Sequence, residues 1–71
     1  ESFSILLPKE FDANKNVNVD IYDTTGRLLY SDQHEATNPI NINSKTLTKG
    51  LIFVTVTNEN GERKNSRVVV N

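Results

Sequence analysis

The side chains able to do chemistry are few and poorly grouped. The chain holds no Cys and a single histidine, His34, set in the polar run Ser31-Asp32-Gln33-His34-Glu35. That run reads as a solvated turn, where an imidazole beside carboxylates is a surface group and not a general base. Ser31 and Ser44 have no second histidine to share and no nucleophile-elbow glycines around them. Catalysis is therefore not expected. The one metal-like spacing is Asp12-x-Asn14-x-Asn16 followed by Asp20 and Asp23, which fall on positions 1, 3, 5, 9 and 12 of a calcium loop. Position six, where such a loop needs Gly, is Val17, and the closing bidentate Glu is replaced by Asp23. Val17, Val19 and Ile21 also alternate as a strand, which would splay the later carboxylates instead of wrapping them round an ion. No metal or cofactor is expected. A basic group, Arg63, Lys64 and Arg67, straddles the last turn and strand. Either it guards the Val68-Val69-Val70 run against pairing with strangers, or it belongs to a charged and apolar strand offered to a receptor by edge addition.

The elements that must carry these residues are strands. β-Branched residues abound, with Val at 17, 19, 54, 56, 68, 69 and 70, Ile at 5, 21, 40, 42 and 52, and seven Thr, against Ala only at 13 and 36. Apolar residues recur with period two in Phe3, Ile5 and Leu7, in Val17, Val19 and Ile21, in Ile40 and Ile42, in Ile52, Val54 and Val56, and in Val68 and Val70. Each segment buries one face and wets the other. Asp23-Thr24-Thr25-Gly26 closes a hairpin between the Val17 strand and a strand over Arg27 to Ser31, and Asn58-Glu59-Asn60-Gly61 closes another before the last strand. Gly26 and Gly50 stand where chain reversal calls for positive φ, and Gly61 completes the second hairpin turn. Phe11 and Leu47 are expected to fold from loops onto the core. Six to seven short strands at such spacings predict an all-β fold, a small antiparallel Ig-like sandwich.

Composition narrows the roles open to that sandwich. With 71 residues and an apolar fraction of 35%, the chain makes one domain with a thin core that no disulfide supports. Eight basic residues against nine acidic ones give a net charge of -1, which supplies no field for nucleic acid or an anionic membrane surface. No apolar stretch approaches the ~18 residues of a spanning helix. Because the chain starts at Glu1 almost inside a strand, residues 1–71 are expected to be a single domain cut from a larger polypeptide.

Three segments, in order, resemble the type A C-terminal sorting domain of the type IX (Por) secretion system of Gram-negative bacteria. They are Ile21-Tyr22-Asp23-Thr24-Thr25-Gly26-Arg27-Leu28-Leu29, then Leu47-Thr48-Lys49-Gly50-Leu51-Ile52-Phe53-Val54 with its Leu-x-x-Gly motif, and finally Arg67-Val68-Val69-Val70-Asn71. The resemblance implies a non-catalytic signal on an exported cargo, recognised by an outer-membrane translocon and its shuttle proteins. A cell-surface sortase would then remove it, leaving the cargo on the surface or outside the cell. Three successive Val at the terminus exceed what period-two burial needs, and the outward Val69 makes Arg67, Val68, Val69, Val70 and Asn71 the expected recognition element, on a terminal strand whose open edge would further permit an edge-strand dimer. The competing reading is an Ig-like accessory module that binds carbohydrate or a protein surface. Its stacking aromatics would have to come from Tyr22, Tyr30, Phe3, Phe11 and Phe53, since there is no Trp.

Overall fold

In the computed structural model, which describes residues 2–9, 11, 15–37, 39–45, 47 and 49–71, the period-two segments become strands. They are β1 (Ser2–Ile5), β2 (Asn16–Tyr22), β3 (Leu28–Glu35), β4 (Ile40–Asn43), β5 (Gly50–Thr57) and β6 (Arg63–Val70). β1 and β4 form a two-stranded sheet, and the other four form a sheet in the order β3-β2-β5-β6. Every pairing is antiparallel. The expected small antiparallel β-sandwich is thus present, with six strands among the described residues.

Alternation decides which faces meet. Val17, Val19 and Ile21 of β2 and Ile52, Val54 and Val56 of β5 are all buried, and Ile5, Ile40 and Ile42 of the small sheet join them in one aliphatic cluster. Phe11 and Leu47 reach that cluster from loops, as the sequence suggested. No polar or charged residue is buried among the described ones, so the core rests on apolar area alone.

Two expectations about strand extent need correction. β1 stops at Ile5, although Leu7 is still buried, because the next position opposite it after Ile5↔Ile40 is Pro39, which has no amide to give the ladder. The run Ser31 to Glu35 is no turn: it is the second half of β3, paired with β2 through Asn16↔Glu35, Val17↔His34 and their neighbours. It has no apolar alternation because it lies on a sheet edge, where Asp32 and His34, opposite the buried Val19 and Val17, stay exposed and half-buried. Ladder pairing with β2 therefore outweighs local propensity there. A register shift at Ile21/Tyr22 lets Tyr22 face Leu28, so that Leu29 and Tyr30 both lie against the core.

Candidate recognition edge

β6 pairs with β5 along its whole length, from Gly50↔Val70 to Thr57↔Arg63, and no described strand pairs with its other edge. Its side chains alternate strictly. Val70 is buried and Val68 lies against the core, whereas Val69 is 64% exposed. Arg63, Asn65, Arg67 and Asn71 are exposed as well. Among the described residues neither Arg63 nor Arg67 has an ion-pair partner, and Arg27 instead holds Asp23 at 3.3 Å.

The basic group therefore does not act as one cluster. All three residues lie on β6 and none in the turn before it. Lys64, two positions inward from Ser66 on the core side, is half-buried, and its Nζ donates to the carbonyl of Leu6. That bond ties β6 to the chain just after β1. Its signal was available in the sequence, because counting back by twos from Val70 puts Lys64 on the inner face.

Outside the sandwich, register sets a row of residues across the large sheet: Leu28 opposite Tyr22, Tyr22 opposite Phe53, and Phe53 opposite Arg67. Leu51 sits beside Val69 in the adjacent row. Leu28, Leu51, Phe53 and Val69 are all exposed, so apolar surface runs from the middle of the sheet to the β6 edge. The clue to this patch was β5 itself, apolar on both faces over Leu51 to Val54 and polar outward only at Thr55 and Thr57.

Elsewhere the candidate residues are held by local structure. Asp12 and Asn14 of the calcium-like spacing lie outside the described residues. Asn16 and Asp20 lie on β2, an uninterrupted strand. Asp20 Oδ1 accepts from Asn18 Nδ2 and from Ser31 Oγ. Asp23 Oδ1 accepts the Thr25 hydroxyl and the amides of Thr25 and Arg27, which holds its carboxyl below the usual value, the Thr25 hydroxyl contributing most. No group of described residues is arranged to hold a metal ion. His34 Nε2 lies 2.8 Å from Tyr30 Oη. Burial first, and the nearby Asp32 charge second, push the Tyr30 phenol above its usual range, so it keeps its proton and can donate to the imidazole.

The large sheet of this antiparallel sandwich thus ends in an open edge that carries exposed basic and apolar side chains. The family model described as the secretion system C-terminal sorting domain matches residues 3–71, and the chain belongs to that family. No curated protein and no solved structure matches it. As a member, the domain is a sorting signal for type IX secretion, in a family that is in general non-catalytic. It engages the type IX machinery and directs secretion to the cell surface or the extracellular space. Nothing favours the accessory-module reading.

Proposed function

We propose that residues 1–71 form one non-catalytic domain of a larger exported protein, read by the outer-membrane translocon and its shuttle proteins through β6 and Asn71. A surface sortase then removes the domain. The observation that carries this reading is the open edge of β6, where Val69 and Arg67 point away from the core while Val68 and Val70 anchor the strand. A partner that adds a strand there gains main-chain hydrogen bonds and covers Val69 and the neighbouring Leu51, while Arg67 meets an acidic rim.

The test is fusion of the domain to a reporter in a host with the secretion system, with surface display as the readout. Arg67→Glu and Val69→Lys should retain the reporter inside the cell while the purified domains melt near the parent temperature. Normal display of both variants would remove β6 as the recognition element. Sorting by the domain as a whole would stand.

A further inference from the structure

The large sheet has two open edges, β3 on one side and β6 on the other, and they differ in charge. β3 carries Asp32 and Glu35, whereas β6 carries Arg63, Lys64 and Arg67. We propose that the outer edge of β6 pairs antiparallel with the outer edge of β3 in a second copy of this chain, extending the sheet from copy to copy.

Direction agrees first. Three antiparallel steps separate β3 from β6, so the two run oppositely within one sheet. A second copy displaced sideways, with only the twist of the sheet, then presents its β3 antiparallel to the first copy's β6 and keeps core and outer faces in line.

Main-chain hydrogen bonding agrees as well. In an antiparallel ladder, bonded and non-bonded pairs alternate. Ala36 donates its amide to the Lys15 carbonyl, so the next pair, Asn16↔Glu35, is non-bonded, and Glu35, Gln33 and Ser31 aim their main-chain groups away from β2. The Gln33 amide, accepted by Asp32 Oδ1 at 2.8 Å instead of by β2, fits that assignment. On the other side Asn58 donates to the Glu62 carbonyl, so Thr57↔Arg63 is non-bonded and Arg63, Asn65 and Arg67 likewise aim outward. Both edges therefore offer free main-chain groups at the residues whose side chains face the sheet exterior.

One register satisfies both ladders over the full strands. Setting Arg63 against Glu35 of the second copy pairs unlike charges, both exposed. Asn65 then meets Gln33, and on the core side Val68 meets Tyr30. Pairing β6 with β6 about Asn65 would oppose Arg63 to Arg67, so the charges disfavour a symmetric dimer through this edge. A sideways repeat does not close, and it yields open chains instead of a dimer. Asp32 must release the Gln33 amide before pairing, which keeps the association reversible.

This goes beyond sorting and needs only the purified 71-residue chain. Sedimentation at rising concentration and low salt should show species growing past two copies. They should dissociate in about 1 M salt, where charges are screened beyond about 3 Å. Arg63→Glu and Glu35→Arg should each weaken association about tenfold, by replacing an attractive pair with a repulsive one. An equimolar mixture of the two variants should restore it, which shows that both are folded. A chain that stays monomeric, a species that stops at two, variants that associate unchanged, or a mixture that fails to recover would each overturn the proposal.

Discussion

The two hairpin turns use one design. Asp23 and Asn58 each occupy the first position, each accepts two main-chain amides through Oδ1, and Gly26 and Gly61 close the turns at φ 86° and 84°. A Cβ built at either glycine meets nothing within 4 Å, so any loss on substitution is backbone strain and not collision. Gly26→Ala and Gly61→Ala should each cost about 1 kcal/mol, a fall of about 4–8 °C in melting temperature for a domain this small. Unchanged melting of both would refute the strain argument. The turns differ in their response to acid. Asp23 has a carboxyl held below its ordinary 3.8, chiefly by the Thr25 hydroxyl and then by the Arg27 amide. A folded-state value below the unfolded one means that its contribution is complete above 3.8 and is lost as pH falls through the lower folded value. An NMR titration should place the Asp23 midpoint below 3.8, and Asp23→Asn should flatten the loss of stability in that acid range.

At the scale of the strand, the three basic residues of β6 separate into two jobs. Lys64 holds the Leu6 carbonyl, while Arg63 and Arg67 are exposed and without ion-pair partners among the described residues. Lys64→Ala should lower stability by about 1 kcal/mol, whereas Arg63→Ala should stay within about 0.5 kcal/mol of the parent. Thermal melts of the two variants measure the difference directly, and equal effects would mean that Lys64 is no clasp. The strands that bury one face were legible because Asn-Val-Asn-Val-Asp-Ile and Ile-Asn-Ile-Asn write period two into residue type. The hairpins were legible because Gly follows a polar first position at a fixed offset. The second half of β3 was not, since an edge strand held by its ladder to β2 needs no apolar alternation and Ser31 to Glu35 shows none. The proposed recognition strand was legible in its alternation, with Val69 outward between Val68 and Val70. Phe53 was legible as the outward residue of a strand apolar on both faces, but its place in one row with Leu28 was not, because the two meet at Tyr22 only through the register of three different strands.

For the molecule as a whole, folding and the proposed recognition fall on the same strand, and this decides which experiments can separate them. The core is entirely aliphatic and aromatic, and β6 closes one side of it with Val70 and Val68. A core of this size supplies no more than about 3–5 kcal/mol in net stability. Removing residues 63–71 would strip β5 of its complete ladder partner and open Ile52, Val54 and Val56 to solvent. Each such side chain is worth about 1.5–3 kcal/mol when fully buried, so even partial exposure of three exceeds the whole margin. The truncated chain should therefore show no cooperative thermal unfolding by circular dichroism, and its failure to be exported would say nothing about contacts with the machinery. Arg67→Glu and Val69→Lys change side chains that lie outside this accounting, and each should shift melting by no more than about 2–4 °C. A truncated chain that still melted cooperatively would show that the sandwich closes without β6. In that case the strand would be an appendage, and its loss alone would become a clean test of recognition.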